Sequence, residues 1–145
     1  MLAVGSEAPD FTVKDHNNIP VTLSNSRGNK IILWFYPKAD TPGCTLEGKG
    51  FRDEFKKFEE KNIIIYGVSL DGVEDNRAFA EKFSFPYPLL CDVDREIALA
   101  YGAVNSIDDQ YAARISYIID AEGKIAEAIE SVDTQNHATD LCSRL

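Results

Sequence analysis

The alternation of strand-like and helix-like segments predicts an α/β fold with a mixed, mostly parallel central sheet. Continuous apolar runs at residues 30–36 and 63–69 are typical of central strands that are buried on both faces. A helix-like segment follows each run, and strands that alternate with helices form parallel sheets. Because the crossovers between parallel strands are right-handed, we expect helices on both faces of the sheet.

The chain begins with a predicted β-hairpin. Residues 11–13 and 21–23 are β-like runs on either side of an Asx-rich turn. His16 falls in that turn, where we expect it to be solvated. The hairpin precedes the first buried strand and is expected to lie outside the alternating strand–helix core.

The helix after the first buried strand is expected to extend to about residue 61. One face of this helix carries three phenylalanines at helical spacing: Phe51, Phe55 and Phe58. Gly48 and Gly50 precede that face, and each costs about 1 kcal/mol relative to alanine in a helix interior. The first turn of this helix is therefore predicted to be weakly connected to the rest.

Two more helices and a short strand complete the alternating part of the chain. Asp71-Gly72-Val73-Glu74 matches a capping box, which predicts a helix that continues through Phe83. Residues 87–91 are a short strand. Asp94 is expected to cap a helix over residues 95–101.

The last third of the chain predicts a closing antiparallel hairpin and a final helix. In the strand at residues 113–119, alternation places Ile115 and Tyr117 on one face and Arg114 on the other. A turn leads to its partner at residues 124–131. Four apolar residues at helical spacing predict the final amphipathic helix: Ala138, Leu141, Cys142 and Leu145.

Composition limits the class of protein. A chain of 145 residues with 44% hydrophobic and 10% aromatic residues is expected to be one globular domain, residues 1–145. The net charge of −9 argues against nucleic acid or an anionic membrane surface as the main partner. The sequence shows no apolar run long enough for a transmembrane helix and no signal peptide. Three widely spaced cysteines suit a reducing compartment, and we expect a cytoplasmic protein without a metal or cofactor.

Cys44 is the candidate reactive residue. The first buried strand stops at Pro37, and Thr41 and Pro42 have the residue types of a helix N-cap and first helical position. This register places Cys44 in the first turn, where backbone N–H groups lack partners and the helix dipole favours an anion. A thiol at such a position ionises more readily than a free cysteine. The alternative is a small buried apolar residue, which is the commonest state of a free cysteine.

These residues resemble a known family. Pro37-x-x-x-Thr41-x-x-Cys44 resembles the peroxiredoxin active-site signature, which occurs on a thioredoxin-like fold. The residues around it, together with Phe51-Arg52-Asp53, Gly67-Val68-Ser69 and Arg114-Ile115-Ser116, resemble the bacterioferritin-comigratory, or Q-type, branch. The similarity extends from about Gly5 to the last helix. It implies a thiol-dependent peroxidase that reduces hydrogen peroxide and organic hydroperoxides.

The resemblance also implies roles for individual residues. Cys44 would be the peroxidatic cysteine and would pass through a sulfenic acid. Thr41 would contact both its sulfur and a bound peroxide, and Pro37 would shield the site from water. Arg114 would hold the thiolate and polarise the peroxide, and Glu47 matches a family position near the pocket.

The sequence departs from the family at the resolving cysteine. Many Q-type members carry that cysteine five residues after the peroxidatic one, where this chain has Lys49. A one-cysteine cycle with an external thiol reductant, such as thioredoxin or glutaredoxin, is therefore the expected mechanism for a monomer or weak homodimer. Cys91 ends a parallel strand and remains an alternative resolving residue, whereas Cys142 is expected to be a core residue.

Other classes of protein are less consistent with the sequence. A thioredoxin-type oxidoreductase needs a second cysteine three positions away, where Thr41 and Glu47 stand. A Cys–His hydrolase needs a base, but His16 and His137 lie in the hairpin turn and near the last helix. A peroxide-sensing protein that uses Cys44 only as a switch stays open as an alternative.

Overall fold

The computed structural model describes all 145 residues and contains two sheets and four α-helices. The smaller sheet is the antiparallel hairpin of β1 (Thr12–Lys14) and β2 (Pro20–Thr22). The larger sheet contains β3 (Lys30–Phe35), β4 (Ile63–Ser69), β5 (Leu89–Cys91), β6 (Ser116–Ile119) and β7 (Ile125–Ile129). The helices are α1 (Pro42–Glu60), α2 (Val73–Phe83), α3 (Glu96–Ala100) and α4 (His137–Arg144). No helix combines the length and the apolar character that a membrane crossing requires.

The larger sheet has the strand order β5-β4-β3-β6-β7, with β3 at its centre. β3 and β4 are parallel, as are β4 and β5, whereas β6 pairs antiparallel with both β3 and β7. The predicted mixed α/β sheet is therefore confirmed. The carboxyl ends of the three parallel strands share one edge, which is where sites form in such sheets.

Alternation along β3 divides the core between the two faces of the sheet. Leu33 and Phe35 pack in one cluster, with residues of the N-terminal segment and α3. Ile32 and Trp34 pack in the other, which contains residues of α1, α2 and α4 and includes Cys44. Helices therefore cover both faces, as predicted.

The predicted strand at residues 113–119 begins later than expected, because β6 starts at Ser116. The facing of its side chains is confirmed, since Ile115 and Tyr117 lie in the first cluster and Ile118 lies in the second. The backbone N–H of Phe35 still donates to the carbonyl of Ile115 (2.8 Å), which extends the pairing beyond β6. Arg114 therefore lies just before the strand, at the end of β3 that leads to α1.

Two predicted helix caps are wrong. Gly72, not Asp71, occupies the N-cap position of α2, and the Asp71 side chain accepts a hydrogen bond from another part of the chain. The predicted cap Asp94 is also displaced, because Asp92 accepts from the first N–H groups of α3, those of Ile97 (3.1 Å) and Ala98 (2.7 Å). Aspartate was the correct residue type only at α3, where Asp92 and not Asp94 accepts from the helix, whereas α2 begins after a glycine without a side-chain cap.

His16 is buried, which contradicts the expectation of a solvated turn residue. Its Nδ1 atom accepts a hydrogen bond from the N–H of Leu89 on edge strand β5 (3.1 Å), and Arg77 Nε donates to its carbonyl oxygen (3.0 Å). Burial lowers the pKa of His16, which favours the neutral ring that can accept a hydrogen bond. The turn therefore covers an edge strand that would otherwise present unpaired backbone groups.

Gly48 has a packing role that its helix propensity does not reveal. A Cβ atom at this position would lie 2.5 Å from Cζ of Phe85, so only glycine permits the aromatic ring to approach α1 this closely. The hydroxyl of Tyr87 also donates to the carbonyl of Gly48 (2.7 Å). The first half of α1 is thus held by contacts with the segment before β5.

Candidate active site

Cys44 is the third residue of α1, in the register that the sequence predicts. Pro42 begins the helix, and Thr41 occupies the N-cap position with an extended backbone (φ −97°, ψ 156°). The short loop before it connects the helix to the end of central strand β3. Cys44 is fully buried, so its thiol lies away from bulk water, and its residue belongs to the first helical turn, whose backbone N–H groups lack intrahelical partners.

Thr41 uses its hydroxyl group within the loop. Its Oγ1 atom donates to the carbonyl oxygen of Lys38 (2.7 Å) and does not cap the helix. In this conformation the O–H of Thr41 donates to Lys38 and not to the sulfur. Between Lys38 and Thr41, Asp40 adopts a left-handed backbone conformation (φ 59°), which turns the chain sharply into the helix.

Arg114 contacts Cys44 across a large separation in sequence. Its Nη2 atom lies 3.4 Å from Cys44 Sγ, and its Nη1 atom lies 2.8 Å from Glu47 Oε1. Burial acts to lower the pKa of Arg114, but the hydrogen bonds and charges of Cys44 and Glu47 outweigh this effect and raise it. The guanidinium therefore offers two fixed donors, one to the sulfur and one to the carboxylate. With 24% of its side chain exposed, Arg114 is the solvent-facing member of the three.

Glu47 is the buried member of the ion pair. It lies one turn after Cys44 on α1, its side chain is fully buried, and its Oε2 atom has no hydrogen-bond partner. Burial raises the pKa of Glu47 from 4.5 to about 7, although the hydrogen bond and charge of Arg114 oppose that change. A carboxyl group that titrates near neutral pH thus lies against the arginine that contacts the sulfur.

The ionisation of Glu47 is expected to make the free energy of unfolding depend on pH. Its pKa is raised on folding, so its stabilising contribution is complete below about pH 4.5 and is lost as the pH rises through about 7. The loss amounts to roughly 3 kcal/mol. The free energy of unfolding, measured with urea, should change less between about pH 5 and about pH 8 in Glu47→Gln than in the wild type. Glu60→Gln, the same change at an exposed position of α1, should keep the wild-type difference, and an unchanged difference in Glu47→Gln would contradict this assignment.

Pro37, Cys91 and Cys142 are the remaining candidate residues. Pro37 is half-buried and lies in the loop before α1. Cys91 is buried at the end of β5, where its Sγ contacts Asn76 Nδ2 (3.4 Å), and burial raises the pKa of its thiol. Cys142 is buried in the core between helices, as expected, and all three cysteines are free thiols.

Neither histidine is placed as a base for Cys44. His16 holds the N-terminal hairpin against β5, as described above. His137 is buried on α4, and its Nε2 atom pairs with Ser116 Oγ (2.9 Å). Burial lowers the pKa of His137 to about 4, so the ring is neutral at physiological pH. No group of three or more histidine, cysteine or acidic side chains is arranged to hold a metal ion.

A polar network behind the loop was missed by sequence reasoning. Asp71 Oδ2 accepts from the backbone N–H of Ala39 (2.7 Å) and from Ser69 Oγ (2.8 Å). The Tyr36 hydroxyl donates to Asn76 Oδ1 (2.7 Å). The only local signal for this network was the match of Asp71 to a capping box, which pointed to the wrong partner.

Comparison with known proteins identifies the family of this site. The model of the AhpC/TSA family matches residues 4–128. The chain is 34% identical over 149 residues to the putative peroxiredoxin bcp of Coxiella burnetii, covering 99% of both chains. It is 34% identical over 141 residues to peroxiredoxin Bcp of Escherichia coli strain K12, covering 94% of this chain and 90% of that protein.

Solved structures agree with the sequence relatives. The crystal structure of peroxidoxin BcpB from Mycobacterium tuberculosis superposes with a TM-score of 0.90 at 32% identity, over 99% of this chain and 96% of the other. Bacterioferritin comigratory protein of Xanthomonas campestris, in structures described for its alkyl peroxide reduction activity, gives a TM-score of 0.89 at 26% identity, over 97% and 96%.

The chain therefore belongs to the AhpC/TSA family of thiol-dependent peroxidases. The relatives and solved structures named above are peroxiredoxins of the bacterioferritin-comigratory, or Q-type, branch, which confirms the resemblance and the thioredoxin-like fold. The enzyme takes a peroxide as substrate and a thiol as reductant.

Proposed function

We propose that Cys44 is the peroxidatic nucleophile and that the enzyme follows a one-cysteine cycle on hydrogen peroxide and organic hydroperoxides. The contact of Arg114 Nη2 with Cys44 Sγ at the start of α1 carries this proposal. A helix N-terminus and a guanidinium both stabilise a thiolate, which is the nucleophilic form of cysteine. The alkyl peroxide activity described for the Xanthomonas relative supports the inclusion of organic hydroperoxides.

The chemical step is a displacement at oxygen. The Cys44 thiolate attacks one peroxide oxygen, an S–O bond forms as the O–O bond breaks, and the second oxygen leaves as hydroxide or alkoxide. With one proton from solvent on the leaving group, the products are a sulfenic acid and water or an alcohol. Negative charge moves from the sulfur onto the oxygens in the transition state. The Arg114 guanidinium and the backbone N–H of Cys44 are fixed donors for that charge.

Thr41 and Pro37 complete the proposed site. In this conformation the Thr41 hydroxyl donates to the carbonyl of Lys38, so it donates to a peroxide only if it gives up that bond. Pro37 is half-buried in the loop, and the role proposed for it from the family resemblance is to limit the access of water. Glu47 holds Arg114 from the protein side through the buried ion pair.

The positions of the other thiols favour the one-cysteine cycle. Lys49 stands where a local resolving cysteine would be. Cys91 ends β5, and β4 lies between β5 and β3, so about 10 Å of sheet separates it from the strand that leads to Cys44. A disulfide requires Cα atoms within about 7 Å of each other. This spacing supports reduction of the sulfenic acid by a thiol from another molecule, and we propose thioredoxin or glutaredoxin in that role.

One experiment tests the cycle directly. One equivalent of hydrogen peroxide added to the reduced protein is expected to add one oxygen atom to Cys44, measured by intact mass and peptide mapping. Cys91→Ala and Cys142→Ala should each retain multiple turnovers with an external thiol, because neither sulfur takes part. An intramolecular disulfide, two hydrogens lighter than the reduced protein, or loss of turnover in Cys91→Ala alone, would replace this cycle with a two-cysteine mechanism.

The rate constant for hydrogen peroxide separates an enzyme from a peroxide sensor. An enzyme has a rate constant for peroxide that greatly exceeds that of free cysteine, whereas a switch has no need of one.

We further propose a monomer or weak homodimer in the cytoplasm, since three free cysteines suit a reducing compartment. Size-exclusion chromatography with light scattering tests the oligomeric part.

A further inference from the structure

The loop before α1 accepts a restraint from a carboxylate outside the loop, that of Asp71. This loop, residues 36–41, leaves the sheet after β3 and delivers Cys44 to the helix N-terminus. Asp71, at the end of neighbouring strand β4, accepts the backbone N–H of Ala39 through Oδ2 at 2.7 Å. The sequence suggests that Asp71 should cap α2, but its carboxylate is turned toward this loop instead.

The Asp71 carboxylate is itself fixed in place. Ser69 Oγ donates to the same Oδ2 atom (2.8 Å), and the backbone N–H of Asp71 approaches Ser69 Oγ (3.2 Å). Ser69 is fully buried, and Asn76 Nδ2 contacts its hydroxyl (3.2 Å). The acceptor is therefore anchored to β4 and α2, which makes it a rigid reference point for the loop.

The ion pair that Asp40 makes outside the loop is weaker than the bond to Ala39. Lys82 Nζ pairs with the carboxylate of Asp40 at 2.9 Å, but the two side chains are 58% and 46% exposed. Exposed ion pairs of this kind contribute little, because water screens them and both side chains lose freedom. The bond to Ala39 is partly buried, joins a charged acceptor to the backbone, and is the stronger restraint.

We propose that Asp71 is a positioning residue for peroxide reduction, which acts by fixing the backbone of the Cys44 loop through Ala39. This inference rests on the proposed function of Cys44. The backbone N–H of Cys44 and the thiolate must meet the peroxide in one geometry, and that geometry depends on where the loop enters the helix. Loss of the anchor lets the loop move away, which misaligns the donors and exposes the sulfur.

Three measurements on Asp71→Ala test this role. The second-order rate constant for hydrogen peroxide is expected to fall by roughly tenfold or more, as for other misplaced catalytic groups. Alkylation of Cys44 by iodoacetamide, followed by peptide mass, is expected to become faster because the sulfur is more open. Hydrogen exchange of the Ala39 amide, measured by NMR, is expected to accelerate.

Matched variants separate the anchor from general damage. Asp71→Asn keeps an oxygen acceptor at the same place and is expected to retain the rate constant within about threefold. Asp75→Ala removes the same charge from an exposed residue that lines the same small cavity as Asp71 and Ala39, and it should leave all three measurements unchanged.

The outcomes distinguish this inference from the proposed function. A wild-type protein without peroxidase activity refutes the proposed function, whereas an active wild type whose rate constant survives Asp71→Ala refutes the positioning role alone. Parallel losses of peroxide rate and alkylation rate also refute it, since the anchor predicts opposite changes. The positioning role is also refuted if the peroxide rate constant falls as far in Asp71→Asn as in Asp71→Ala. If Asp71→Ala does not fold, Asp71→Asn and the wild-type exchange rate at Ala39 decide: an unprotected Ala39 amide overturns the anchor.

Discussion

Replacing Cys44 with serine is expected to reduce peroxide consumption to the uncatalysed level. The substitution changes one atom, and the buried space at the start of α1 accepts the smaller oxygen. A serine hydroxyl does not ionise near neutral pH, so the donors at the helix N-terminus and on Arg114 face a neutral group. Without an anionic nucleophile no S–O bond forms and the peroxide O–O bond stays intact.

The matched control for this variant is Cys142→Ser. Cys142 undergoes the same change of sulfur to oxygen and is buried in the same core cluster, but it belongs to α4 and does not contact Arg114. Peroxide loss with excess thiol reductant, followed continuously, should continue at the wild-type rate in Cys142→Ser and stop in Cys44→Ser. Turnover by Cys44→Ser above the background would show that another thiol is the nucleophile.

The sequence is sufficient to predict Cys44 and its local frame because the signals are local. An apolar strand, a proline stop and a Thr-Pro helix start all lie within residues 30–42, and each is governed by neighbouring backbone geometry. Arg114 lies 70 residues from Cys44 and has the pattern of any polar residue near a strand. Only the family resemblance pointed to it, since local propensity carries no information about which edge of a sheet a residue reaches.

The wrong predictions for Asp71 and His16 have the same physical origin, because each side chain has more than one possible hydrogen-bond partner. Asp71 has a helix cap within reach, but the N–H of Ala39 and the hydroxyl of Ser69 take its oxygen instead. His16 has the pattern of a solvated turn residue, but the unpaired N–H of Leu89 on edge strand β5 draws it into the interior. Such choices depend on which buried groups would otherwise lack a partner, and that is decided only when the sheet has formed.

Replacing Arg114 with leucine is expected to lower the rate constant for peroxide by roughly 10²–10³-fold, the usual effect of removing a fixed donor from a developing oxyanion. The leucine keeps apolar volume beside α1 but donates nothing to Cys44 Sγ or to the peroxide. The rate constant of Arg114→Lys should lie between those of the wild type and Arg114→Leu. One ammonium group cannot reproduce the planar guanidinium, which donates to both Cys44 and Glu47. Stopped-flow measurement of peroxide reduction at saturating thiol reductant gives these constants.

The same substitution is expected to destabilise the fold through Glu47. With the guanidinium removed, a fully buried carboxyl group has no partner for either oxygen, and breaking a buried ion pair in this way costs about 3–5 kcal/mol unless the carboxyl takes up a proton. Burial already raises the pKa of Glu47 to about 7, so the cost of Arg114→Leu should diminish as the pH falls below that value. Urea unfolding of the variant over this pH range measures the effect.

A second substitution separates the two roles of Arg114. In Arg114→Leu/Glu47→Leu the buried carboxyl is gone, so the free energy of unfolding is expected to recover most of the loss seen in the single variant. The peroxide rate constant should stay as low as in Arg114→Leu, because the donor to the sulfur is still missing. If the double variant regained the wild-type rate constant, Arg114 would act only by neutralising Glu47, and the transition-state role assigned to its contact with Cys44 would be wrong.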